Sequence, residues 1–163
     1  MRKNILILII VLVVPLLYSQ EEKKTMNNGD MSFKVEIIRY YFGRENIRVV
    51  VTPERLIYET AISLNKKDYT LETRVLTEEE SSGLKEFLSE FPLDEFKESY
   101  YNKGVKDGMQ IRFTININGI EKNIYVANYY IKELAELVSE VVKLCPEDHL
   151  CYNSDSVSEV IEK

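Results

Sequence analysis

The sequence predicts an α+β fold: a single antiparallel sheet of about six strands with two helices packed on one face, in the order ββββ-α-ββ-α. Three observations carry this reading. Short segments rich in β-branched and aromatic residues alternate with turn residues from Phe33 to Leu76. A capping box at Thr77-Glu78-Glu79-Glu80 opens a helical period. Asn118-Gly119 then separates two alternating strands that feed a second, longer helical period.

Phe33 to Phe42 reads as the first strand, Gly43-Arg44-Glu45-Asn46 as its turn, and Ile47 to Val51 as the return. A four-residue loop there pairs Phe42 with Ile47, Tyr40 with Val49 and Ile38 with Val51, an apolar face. Phe33, Val35 and Ile37 then fall on the opposite parity, which requires either a bulge or a strand covered on both sides. Thr52-Pro53-Glu54-Arg55 is a turn, with Pro53 at its favoured second position. Leu56 to Leu64 is the next strand and Asn65-Lys66-Lys67-Asp68 the next turn. Tyr69 to Leu76 alternates as a solvent-facing strand.

In the first helix Thr77 caps the amide three residues on, and Glu80 reaches back to the cap. Leu84, Phe87, Leu88 and Phe91 form its buried face, and Pro92 ends it. Leu93, Phe96 and Tyr100 continue the rhythm as one more helical turn, and Tyr101 to Gly108 is a loop. The Asn118-Gly119 turn then sets the register Ile117–Ile120, Ile115–Lys122, Phe113–Ile124 and Ile111–Val126 on an almost wholly apolar face. Asn116–Glu121, Thr114–Asn123 and Arg112–Tyr125 form the polar face. Ile131, Leu134, Ala135, Val138, Val141, Val142 and Cys145 follow at helical spacing, with Asn128 as N-cap and Pro146 as stop. Burying that stripe contributes on the order of 10 kcal/mol before ordering costs.

Residues 1–19 have the layout of a secretory signal: Arg2-Lys3, an apolar run from Ile5 to Leu17, and Ser19 before the cut. An uncleaved membrane anchor is the competing reading. Residues 20–31 form a polar, flexible spacer, residues 32–152 one α+β domain, and residues 153–163 a polar tail. Without Arg2 and Lys3, the 21 Lys and Arg fall to 19 against 27 Asp and Glu, a net charge of −8. Such an acidic chain is a poor partner for nucleic acid or for an anionic membrane surface. Membrane contact is expected only through the signal segment before cleavage, and the protein is expected in the periplasm or outside the cell.

Cys145 and Cys151 are the two cysteines. In an exported chain, a pair this close predicts a disulfide pinning the end of the last helix. A metal site built from them with Asp148 and His149 would match none of the common zinc spacings, so no metal and no cofactor is expected. His149 is the single histidine, and no Gly-x-Ser-x-Gly nucleophile motif occurs. The paired acids at Glu78 to Glu80, Asp94-Glu95 and Glu147-Asp148 lie where helix ends and turns already employ them. Tyrosine is the richer signal, with 11 Tyr and no Trp. Exposed Tyr beside Arg is the composition of a recognition surface. It points to Arg112 and Tyr125 on the central hairpin, and to Tyr41 and Arg44 at the first turn. The expected function is a non-enzymatic binding module for an envelope or extracellular protein. A periplasmic hydrolase with a carboxylate site, or a structural envelope-associated protein, is the alternative.

Arg39-Tyr40-Tyr41-Phe42-Gly43, Leu56-Ile57-Tyr58-Glu59, the Leu76 to Glu80 helix start, and the late Asp-Gly, Asn-Gly hairpin and helix together resemble a group of exported bacterial domains of unknown function. That group carries a Cys-Phe-Gly-x-Cys-Pro turn in its first hairpin. Here Tyr41 and Glu45 stand at the cysteine positions and Asn46 at the proline position. The resemblance implies a small α+β domain and no particular activity.

Overall fold

The structure is a computed structural model that describes residues 31–41, 45–62, 69–105, 108–146 and 150–154. The signal segment, Arg44, Glu147, Asp148 and His149 lie outside the described residues. The elements are β1 (Phe33–Tyr41), β2 (Glu45–Val51), β3 (Arg55–Ile62), β4 (Tyr69–Val75), α1 (Glu78–Ser89), a 3-10 turn (Leu93–Glu95), β5 (Ser99–Tyr101), β6 (Met109–Ile117), β7 (Ile120–Ala127) and α2 (Lys132–Val142). The α+β class is as expected, but the sheet has seven strands and is mixed, in the spatial order β4-β3-β2-β1-β6-β7-β5. The added strand is β5, which pairs parallel to β7 through Ser99–Tyr125, Tyr100–Val126 and Tyr101–Ala127. It lies in the stretch from which sequence predicted a further helical turn and a loop. Three residues are too few to show an alternating pattern.

The β6–β7 hairpin has the predicted register, from Ile117–Ile120 to Ile111–Val126. Its turn holds Asn118 at φ 53° and Gly119 at φ 86°, the left-handed conformations that a tight hairpin demands and that Asn and Gly adopt most readily. The first hairpin differs from expectation. Ile37 pairs with Val49, Val35 with Val51 and Arg39 with Ile47. This is three positions away from the register that a four-residue loop implied. The shift settles the parity conflict without a bulge. Phe33, Val35, Ile37, Ile47, Val49 and Val51 are all buried on one face, and Tyr40 turns to the other. Packing six apolar side chains outweighs the turn preference that favoured Phe42 opposite Ile47.

The core lies between this sheet face and the two helices. Tyr58, Phe113, Ile115 and Ile124 meet Leu84 and Leu88 of α1 and Leu134, Leu137, Val138 and Val141 of α2 in one cluster. Met31, Leu150 and Tyr152 join the same cluster from outside the regular elements.

Both reciprocal bonds of the α1 capping box form: Thr77 Oγ1 accepts from the Glu80 amide at 3.2 Å, and Glu80 Oε2 accepts from the Thr77 amide at 2.9 Å. The same carboxylate takes a bidentate pair from Arg74 of β4, each bond 2.9 Å long. Arg74 Nη2 and Nε also donate to the Leu144 carbonyl at 2.7 and 3.2 Å. One guanidinium thus ties the start of α1 to the turn that follows α2. The hydrogen bonds from Arg74, reinforced by the Thr77 amide, hold the Glu80 carboxyl down at about 2.

The N-cap of α2 is Ile131 rather than Asn128. Asn128 instead sits in a left-handed bend at φ 52°, its amide bonded to the Met109 carbonyl, and so extends the β6–β7 ladder. A Cβ on Gly108 would run into the Asn128 side-chain amide, which would have to turn aside to admit it. Ile131 has no side-chain oxygen to offer, and Tyr152 serves the helix end. Its buried hydroxyl accepts from the Ile131 amide at 2.9 Å and donates to the Tyr129 carbonyl at 2.8 Å. Burial raises the pKa of this phenol.

Candidate functional site

The sheet face turned away from the helices carries Arg112 and Tyr125, two of the four predicted recognition residues. Odd and even positions of a strand point to opposite faces, so burying Ile111, Phe113 and Ile115 sends Arg112 and Thr114 outward. Arg112 pairs with Tyr125 on one side and with Ile38 on the other. The Tyr125 hydroxyl donates to Gln110 Oε1 at 2.9 Å. Arg112 is exposed, and among the described residues it has no ion-pair partner. Arg48, its nearest counterpart on β2, is already committed, with Nε on Glu36 at 2.6 Å and Nη1 on Glu59 at 2.9 Å.

Beside Arg112 runs an open cleft of about 600 Å³ lined by Glu98, Glu121, Lys122, Asn123 and Tyr125. The short strand β5 creates it. The Glu98 backbone carbonyl accepts from the Tyr125 amide at 2.9 Å where β5 begins, and β5 covers β7 only from Tyr125 to Ala127. The Glu121–Asn123 edge of β7 has no strand beside it among the described residues. The side chains there are organised: Thr114 Oγ1 donates to Asn123 Oδ1 at 2.7 Å, and Asn123 Nδ2 donates to Glu121 Oε1 at 3.3 Å. The cleft therefore offers an unpaired guanidinium, two carboxylates, a lysine and a free strand edge, which suits hydrogen bonding to an extended chain.

The structure brings Arg112 and Tyr125 together. Arg44 is outside the described residues. Tyr41 is placed by its backbone alone, opposite Met109 at the far end of β1. The disulfide expected from sequence is not formed. The Cys145 thiol lies against its own helix, 3.4 Å from the Val141 carbonyl, while Cys151 is exposed beyond the turn. Of the paired acids, Glu78 and Glu79 are exposed on the first turn of α1, Glu80 is taken by Arg74, and Asp94 and Glu95 are exposed on the 3-10 turn. Among the described residues no three His, Cys, Asp or Glu side chains gather as a metal site.

Sequence reasoning missed Glu98, whose position depends on the unforeseen strand β5. It also missed Arg39, which lies on the core side of β1 with its Nε buried and no hydrogen-bond partner for that atom among the described residues. The strict alternation of β1 around Val35 and Ile37 was the available signal for Arg39. No protein-family model matches the chain, and no curated protein matches it. No helix among the described residues is long and apolar enough to cross a membrane.

Proposed function

We propose that this chain is an exported, non-enzymatic interaction module of the periplasm or cell exterior, akin to the exported bacterial domains its sequence resembles. Its partner is an envelope or extracellular protein. The partner presents an extended segment to the cleft, with backbone along the Glu121–Asn123 edge and a carboxylate on Arg112. The observation that carries this is the exposed guanidinium of Arg112, without an ion-pair partner among the described residues, beside a β7 edge that no described strand covers. Adding a strand supplies affinity through backbone hydrogen bonds, and a charge-assisted bond at Arg112 supplies selectivity.

The test is capture of envelope proteins on the immobilised chain, with an Arg112→Ala/Tyr125→Ala double variant in parallel. One protein retained by the unaltered chain and lost by the variant supports the reading and locates the surface. Equal retention by both, or none by either, removes this surface and turns attention to small ligands and hydrolase substrates.

A further inference from the structure

Among the described residues the sheet has a second open edge, at β4, and its sequence is self-complementary. β4 runs Tyr69-Thr70-Leu71-Glu72-Thr73-Arg74-Val75 and pairs with β3 in unbroken register. It has no proline, no lysine and no bulge, and its two charges, Glu72 and Arg74, are of opposite sign and so guard the edge only weakly against a second copy of itself. Thr70, Leu71, Glu72, Thr73 and Val75 are all exposed, Leu71 at 53% and Val75 at 79%. The Leu76 amide donates to the Glu54 carbonyl at 3.0 Å, which fixes the alternation of the ladder. Leu76, Arg74, Glu72 and Thr70 point their backbone groups at β3, so those of Val75, Thr73 and Leu71 point outward.

We infer that two copies of this chain join edge to edge through β4, antiparallel, about a two-fold axis at Thr73. In that register Thr73 faces its own copy, and Leu71 faces Val75 of the partner subunit. These are the outward-pointing positions, so about six backbone hydrogen bonds close across the axis. Leu71 and Val75 lie on one face and lose their exposure to each other. On the opposite face Glu72 lies across from the second copy's Arg74, whose guanidinium keeps its bonds to Glu80 and the Leu144 carbonyl and contributes a neighbouring positive charge, and the reverse juxtaposition forms by symmetry. A two-fold contact of this kind closes on itself and leaves no free β4 edge to recruit a third copy. The neighbouring register, centred on Glu72, sets like charges against each other and is disfavoured.

Sedimentation equilibrium of the full chain, as its producing cell processes it, tests the proposal. The unaltered chain sediments as a dimer that dissociates on dilution. Leu71→Lys/Val75→Lys is monomeric with unchanged far-UV circular dichroism. Thr73→Pro is monomeric too, and because the Thr73 amide faces away from β3 it leaves the fold intact. Glu72→Arg places like charges at both flanks of the axis and weakens the dimer about tenfold, less so at high salt. A chain that stays monomeric at millimolar concentration overturns the proposal. So does a dimer that survives Leu71→Lys/Val75→Lys and Thr73→Pro. A dimer indifferent to Glu72→Arg overturns the register.

Discussion

Arg74 is the position where a single substitution reports most about this fold. Arg74→Met keeps the aliphatic stem and removes five bonds: two to Glu80, two to the Leu144 carbonyl and one to the Val75 carbonyl. The Val75 contact is 3.4 Å long and contributes little. The Arg74 and Glu80 side chains are 38% and 29% exposed, so solvent screens the pair, but its bidentate geometry places it above an ordinary surface ion pair. The lowered Glu80 carboxyl expresses the same contacts, together with the Thr77 amide, on a free-energy scale. A fall from 4.5 to about 2 would correspond to roughly 3 kcal/mol if unscreened, and to about 1–2 kcal/mol after discounting for exposure. Loss of the Leu144 contact adds about 1 kcal/mol. Arg74→Met should therefore destabilise the domain by about 2–3 kcal/mol at neutral pH, read by urea unfolding.

The pH dependence has a definite sign. Glu80 has a folded-state pKa below its unfolded value, so its contribution is present above about 4.5 and is lost as pH falls toward about 2. The unaltered protein loses that increment across this window, and Arg74→Met, lacking the cause of the shift, has much less to lose. An Arg74→Met protein within about 0.5 kcal/mol of the original, or one with the same acid slope, refutes the reasoning.

Tyr152→Phe leaves the Ile131 amide and the Tyr129 carbonyl without their partner and costs about 1–3 kcal/mol in urea unfolding; in alkaline titration, a phenol that ionises above the ordinary tyrosine range disappears from the absorbance profile. Gly119→Ala, at φ 86°, costs about 1–2 kcal/mol by thermal unfolding although no atom crowds the added methyl. Leu134→Ala, at a fully buried position of α2, costs about 2–5 kcal/mol, and its urea midpoint falls with an unchanged slope.

Legibility from sequence followed how strongly each segment limits its own geometry. Asn118-Gly119 admits essentially one tight turn, so every pair of β6 and β7 could be written down, and with them the contact of Arg112 and Tyr125. Thr77 and Glu80 likewise have one reciprocal geometry to adopt. The first hairpin lacks such a turn, and its register was decided by burial of Phe33, Val35 and Ile37, which a loop-first argument counts too late. Asn128 illustrates a different ambiguity. The short amide side chain that suits an N-cap also suits a left-handed bend, and the β7 ladder claimed it. Tyr152 capping Ile131 from the far side of α2 is a tertiary contact with no local pattern. Glu98 reached the cleft through β5, a strand too short to announce itself.

The position of β1 has a consequence for how the chain finds this structure. β2, β3 and β4 follow β1 as a meander of neighbours, and β6 and β7 form a hairpin, so each half of the sheet can zip up from local contacts. The halves meet along one seam, the antiparallel pairing of β1 with β6 from Phe33–Ile117 to Tyr41–Met109. That seam joins segments separated by most of the domain's length, and the loop-closure entropy of folding is concentrated there. The contacts that make the domain one body are thus the most costly to nucleate, and Ile37 and Phe113, paired at mid-seam and fully buried, sit where the two halves commit to each other.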